Sequence, residues 1–149
     1  MGLYDALGVG ASGLAAQRAR VEALTENIAN SETTRTPQGG PYQRRRVIFE
    51  AAPAAHAFGT ALSQARARID GRGPEGVRVA RLEFERAEPE MRFEPDHPDA
   101  DEAGYVAYPG FNPIEDMVDL TASVRSYQAN LAVIDAVRQM INETIDVAR

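Results

Sequence analysis

The sequence predicts an α+β fold in which long N- and C-terminal helices pair as a coiled-coil-like bundle, with a small antiparallel β-rich domain between them in the chain. Three observations lead there. Apolar residues recur every seven positions near the N-terminus, at Leu7, Leu14, Val21 and Ile28, with Leu24 supplying the second seam position. A second three-and-four spacing runs through Met117, Leu120, Val124, Tyr127, Leu131 and Ile134 at the other end and resumes at Ile141 and Ile145 past a charged seam position, Arg138. Between the two seams lie short runs of β-branched and aromatic residues broken by Gly and Pro. The expected organisation is an N-terminal helical segment over residues 1–35, a β-rich middle domain over 36–111 with a variable insertion at about 51–75, and a C-terminal helix over 112–149.

The first helix is weakened at its start by Gly8, Gly10 and Gly13. Each costs about 1 kcal/mol relative to Ala inside a helix, so these turns need something packed on them. The helix is expected to stop near Asn30-Ser31, ahead of the turn-rich Ser31-Glu32-Thr33-Thr34-Arg35-Thr36-Pro37. The last helix has a stronger start. Asn112-Pro113-Ile114-Glu115 provides a capping side chain, a proline at the first helical position and an acid against the positive end of the helix dipole. From Pro113 to Ala148 it would extend roughly 50 Å at 1.5 Å per residue, more than a compact domain of this size requires.

In the middle, Pro37-Gln38-Gly39-Gly40-Pro41 forms a turn cluster and Tyr42–Phe49 has strand character. Arg44, Arg45 and Arg46 point alternately to opposite faces of such a strand, so they read as a solvated edge kept soluble by charge and not as a phosphate patch. Phe58, Leu62, Ala65 and Ile69 have helical spacing, while Pro53, Gly59 and Gly71-Arg72-Gly73-Pro74 suit a flexible insertion; both readings stay open. Val77, Val79, Leu82 and Phe84 mark a second strand, Met91 and Phe93 a third, and Tyr105–Tyr108 a fourth.

Composition removes most chemistries. The chain has 149 residues, no Cys and two His, so disulfides, thiol catalysis and cysteine-based metal sites are excluded. All 16 basic residues are Arg against 22 acids, and a net charge of −6 disfavours a general binder of nucleic acid or anionic membrane. The charge is uneven. Residues 83–102 hold nine acids and two arginines, −7, so the rest of the chain carries +1. Within that stretch Asp96–Gly104 resembles a cation loop, but Ala103 and Gly110 stand where an EF-hand needs its fifth and twelfth ligands. Turn-forming aspartates that accept backbone amides are the better reading. His97 has no second His or nucleophile beside it in sequence, and no nucleophile elbow, phosphate loop or paired-His motif is present. No enzyme activity, cofactor, metal or small-molecule substrate is expected.

The motifs converge on a known family. The first seam running into Asn27-Ile28-Ala29-Asn30-Ser31-Glu32-Thr33-Thr34, then Gly39-Gly40-Pro41-Tyr42 and Val47-Ile48-Phe49, resembles the start of the bacterial flagellar basal-body rod proteins. His97-Pro98-Asp99-Ala100-Asp101, Gly104-Tyr105-Val106, Asn112–Leu120 and Arg125-Ser126-Tyr127-Gln128-Ala129-Asn130 are similar to the proximal-rod type within that family. Residues 51–75 depart from the family pattern.

The resemblance implies a structural subunit of the axial rod in the periplasm, exported unfolded through the flagellar type III apparatus without a cleaved signal peptide, whose helical termini order on assembly. Its implied partners are other rod subunits, copies of itself and the export apparatus. The residues agree with this: the chain opens Met1-Gly2-Leu3-Tyr4-Asp5 with no basic residue before Arg18, unlike a secretory signal. The seam residues named above are then the expected subunit-packing set. Asn27, Asn30, Gln128 and Asn130 flank the seams and are expected to set helix register through hydrogen bonds, with a capping role equally open for Asn30. A different class of function stays open on the residues alone, a soluble helical-hairpin adaptor that binds one partner groove. So does another rod or hook axial protein.

Overall fold

The computed structural model describes residues 3–52 and 76–147. The expected insertion lies outside these from residue 53 onward. Among the described residues the order is α1 (Leu3–Ala29), β1 (Arg44–Ala51), β2 (Val77–Glu85), β3 (Glu90–Phe93), β4 (Tyr105–Tyr108) and α2 (Pro113–Val147). The α+β class and the long terminal helices are as the sequence predicts. The strands form two two-stranded sheets, β1 with β2 and β3 with β4. Pro89, which has no amide hydrogen to give a ladder, stands between β2 and β3.

Helix boundaries follow the capping chemistry. Asn112 Oδ1 accepts the Ile114 N–H at 3.0 Å, the Asn112 carbonyl accepts the Glu115 N–H at 3.2 Å, and Pro113 opens α2. At the end of α1 the Asn30 N–H and the Asn30 side-chain amide both donate to the Glu26 carbonyl, at 3.0 and 2.9 Å. Those bonds satisfy an otherwise orphaned helix carbonyl.

The chain divides into two compact units. The first gathers Met1–Ala19, Ile48–Arg81 and Val124–Arg149. Here α1 and α2 run antiparallel: a Cβ on Gly10 would lie 2.9 Å from Ile134, and one on Gly13 would lie 2.9 Å from Asn130. Gly10 and Gly13, two of the three glycines that weaken α1 as an isolated helix, therefore allow its close approach to α2. Ala16, Ile134 and Val137 are buried in this unit. Ser12 Oγ donates to the Val9 carbonyl at 2.7 Å and accepts the Val77 N–H at 3.1 Å, tying α1 to the start of β2. Beside it, the Ala52 N–H donates to the Gly76 carbonyl at 2.9 Å and Arg78 pairs with Glu50 across the β1–β2 ribbon.

The second unit comprises Arg20–Val47 and Leu82–Ser123. Its core holds Ala23, Leu24, Val47, Val106 and Tyr108 together with three buried polar residues, Asn27, Asp116 and Ser123. β3 and β4 pair antiparallel, with Met91 opposite Ala107 and Phe93 opposite Tyr105. The loop between them is the aspartate turn that the sequence suggested. Asp101 Oδ1 accepts the Ala103 and Tyr105 amides at 2.9 and 2.8 Å, and Gly104 takes the left-handed backbone with φ +80°.

Candidate assembly surface

α2 buries a different row of residues from the apolar one. Asp116, Ser123 and Val137 are buried and Asn130 half-buried, a strict seven-residue series. Leu120, Ile134 and Ile141 complete the inward face. Three of the four positions in that series are polar, and each is accommodated locally. Asp116 bonds to Arg44, Ser123 Oγ donates to the Asp119 carbonyl at 2.8 Å, and Asn130 sits against Gly13.

The expected subunit-packing residues consequently separate into two groups. Leu24 and Ile134 are buried within the chain, and Leu7, Leu14, Val21, Ile28, Leu120 and Ile141 are half-buried. Met117, Val124, Tyr127, Leu131 and Ile145 are exposed. Met117, Val124, Leu131 and Ile145 form a row one residue beyond the inward series, interrupted by Arg138. A further row, Val133, Met140 and Val147, is also exposed, and the sequence reading passed over it. Its seven-residue spacing was available in the sequence but was masked by the more regular first stripe.

The four polar residues expected to set register occupy distinct environments. Asn27 is fully buried, and its side chain makes three hydrogen bonds inside the chain. Nδ2 donates to the Arg45 carbonyl at 2.9 Å, while Oδ1 accepts the Arg45 N–H at 2.8 Å and the Tyr42 hydroxyl at 2.9 Å. Asn30 caps α1 and accepts the Thr33 hydroxyl at 3.2 Å. Asn130 faces α1, and Gln128 is exposed.

The arginine run of β1 departs from expectation. Arg44 is not a solvated edge residue; its side chain is 13% exposed, it bonds to the fully buried Asp116, and it lies 3.5 Å from Glu85 and 3.9 Å from Glu115. Burial opposes the Arg44 charge, but the hydrogen bond to Asp116 and the surrounding carboxylates outweigh it and raise the guanidinium pKa. Arg45 pairs with Glu26 at 2.6 Å and stacks over Phe84. Arg46 alone among the three keeps the mostly solvated character expected, 3.5 Å from Glu85. Alternation along the strand is retained, yet the inward face meets an acidic helix N-terminus that lies 72 residues away in sequence.

Tyr42 is likewise tied to this region. Its phenol pKa is raised, first by burial and then by the nearby Glu26 carboxylate. In the β3–β4 hairpin, Glu90 is held below the usual carboxylate range by its hydrogen bond to Arg92 at 3.1 Å. Arg92 in turn lies over the Tyr108 ring at 4.5 Å, and the Tyr108 hydroxyl donates to Glu94 at 3.0 Å. No group of three or more potential metal ligands occurs among the described residues. The buried polar side chains hold secondary-structure elements to one another, and exposed apolar rows run along α2.

Two segments match family descriptions. Residues 7–35 match the flagella basal body rod protein family, and residues 102–147 match the C-terminal family of the flagellar basal body rod FlgEFG proteins. The chain is 37% identical over 151 aligned positions to the flagellar basal-body rod protein FlgC of Borreliella burgdorferi, covering 99% of this chain and 98% of the relative. The chain belongs to the FlgC family of flagellar basal-body rod proteins. FlgC of Bacillus subtilis and FlgC of Salmonella typhimurium are each 31% identical, with 100% of both chains covered. The two matched segments of this FlgC-family chain contain most of α1 and all of α2, and α2 bears the exposed apolar rows.

Proposed function

We propose that this chain is a structural subunit of the proximal rod of the flagellar basal body and assembles through its terminal helices into a torque-transmitting axial tube. The full-length similarity to FlgC relatives carries the identity of the structure it serves. The exposed row Met117, Val124, Leu131 and Ile145 supports the mode of assembly. Covering the remaining surface of these side chains is worth about 1 kcal/mol each, and the gain recurs at every subunit contact. Heterologous contacts of that kind propagate along a helix until a different subunit takes over.

The partners on this reading are other rod subunits and copies of the same chain. The type III export apparatus would deliver the subunit unfolded, without signal-peptide cleavage, to an axial position in the periplasm.

Mass spectrometry of purified basal bodies from cells with and without the gene tests the assignment. The chain is expected in the wild-type preparation, with distal rod and hook missing from the deletion. Recovery only from the soluble fraction, with basal bodies intact in the deletion, overturns it and favours the adaptor reading. Leu131→Asp tests the mode of assembly: because Leu131 is 43% exposed, the variant is expected to fold but fail to incorporate. Normal motility in that variant rejects assembly through this face.

A further inference from the structure

The β3–β4 hairpin has two unlike faces. Cross-strand neighbours share a face, so Arg92 with Val106 and Glu90 with Tyr108 form one side, and Met91 with Ala107 and Phe93 with Tyr105 form the other. On the first side the β4 residues are turned into the chain, with Val106 fully buried and Tyr108 buried, while Arg92 and Glu90 on β3 are exposed and committed to each other, Arg92 also lying over the Tyr108 ring. The second side presents Met91, Phe93 and Tyr105 at 54%, 64% and 43% exposure. Phe93 and Tyr105 are already fixed edge to face, with centroids 5.3 Å apart. A Cβ on Gly104 would come within 3.0 Å of the Phe93 ring, so the turn packs closely on that ring. The aromatic pair is therefore ordered before any partner arrives, which lowers the entropy cost of docking.

Charge selects the occupant. Glu88, Asp96 and Glu102 are exposed around the ends of these strands, within the 83–102 stretch that carries −7. Pairing this face with the same face of a second copy would set these three exposed carboxylates against their own counterparts, and like charges across an interface suppress such pairing. We propose that the Met91, Phe93 and Tyr105 face docks a surface of a different protein subunit that carries arginine or lysine beside apolar side chains. The aromatic rings would supply the contact area and cation–π faces, and the carboxylates would supply orientation and on-rate. This proposal rests on the rod-subunit reading, and assigns a specificity surface separate from the helical rows.

The test places the photo-cross-linking residue p-benzoylphenylalanine at Phe93, or at Leu131 as a control, in the full chain expressed in flagellated cells. Basal bodies are purified and adducts are sequenced by mass spectrometry. The expected result is a Phe93 adduct to another subunit, on a peptide with Arg or Lys beside apolar residues. The triple variant Glu88→Gln, Asp96→Asn, Glu102→Gln is expected to lower that adduct about tenfold at moderate salt while leaving the Leu131 adduct unchanged. A Phe93 adduct to residues 83–108 of a second copy overturns the proposal. So does an unchanged Phe93 yield in the triple variant, or a Leu131 adduct with none at Phe93. Absence of the chain from basal bodies altogether overturns the rod-subunit reading itself, so the two failures are distinguishable.

Discussion

Arg44 of β1 and Asp116 in the first turn of α2 form a largely buried ion pair that joins residues 72 positions apart. The carboxylate lies near the positive end of the helix dipole and the guanidinium also faces Glu85 and Glu115, so the pair is embedded in complementary charge. Removing one partner leaves a buried charge uncompensated. Asp116→Ala is expected to destabilise the chain by about 3–5 kcal/mol, measured by urea denaturation. Arg44→Met with Asp116→Leu should recover much of that loss, since two apolar side chains leave no orphaned charge. A double variant no more stable than Asp116→Ala would assign the loss to packing instead.

Asn27 joins α1 to β1 by exchanging both backbone hydrogen bonds with Arg45. Asn27→Leu keeps similar volume but leaves the Arg45 N–H and C=O without their partner. The expected cost is about 2–4 kcal/mol, with the Arg45 amide losing protection in hydrogen-exchange measurements. Protection equal to wild type would show that water or another group replaces the asparagine.

The glycines of α1 are not equivalent. A Cβ on Gly8 meets nothing within 4 Å, whereas one on Gly10 lies 2.9 Å from Ile134 Cγ1. Gly8→Ala is expected to stabilise the protein by about 0.5–1 kcal/mol through helix propensity alone. Gly10→Val should destabilise it by about 1–3 kcal/mol because the buried Ile134 must move. Thermal unfolding of the two variants checks the contrast, and equal shifts would contradict the close approach of α1 and α2 at Gly10.

Tyr42 gives stability an alkaline limit. Its folded pKa is raised, so the folded state keeps the phenol proton after the unfolded chain has lost it. The contribution is fully present below the unfolded value of about 10 and is lost as pH rises through the higher folded value. Unfolding free energy should therefore fall above about pH 10, and Tyr42→Phe should reduce that slope while costing about 1 kcal/mol at neutral pH. A slope unchanged in Tyr42→Phe would assign the alkaline loss to other tyrosines.

Much of the architecture was legible because its determinants are local. The Asn112-Pro113 start of α2, the end of α1 at Ala29, the aspartate turn at Asp101 and the strand at Tyr105–Tyr108 each depend on groups within a few residues of one another. The candidate surface was only partly legible. Periodicity located Met117, Val124 and Leu131 on one row, but it could not tell which of two adjacent rows faces the chain's own interior. Hydropathy favours the apolar row, whereas Asp116, Ser123 and Asn130 take the inward one. Their polar groups find Arg44, a carbonyl of the same helix and the space beside Gly13.

The α+β class, the two long helices, their caps and the rod-protein family signature follow from residues close together along the chain, because capping, turn chemistry and heptad spacing act over short distances. Tertiary structure decided that Arg44 is buried, that Asn27 is spent inside the subunit, and that an apolar row of α2 stays on the outside. Each of those outcomes depends on a partner that is distant in sequence. A charged or polar side chain goes inward only where the fold brings it a compensating group, and an apolar one stays exposed where that exchange has already filled the interior.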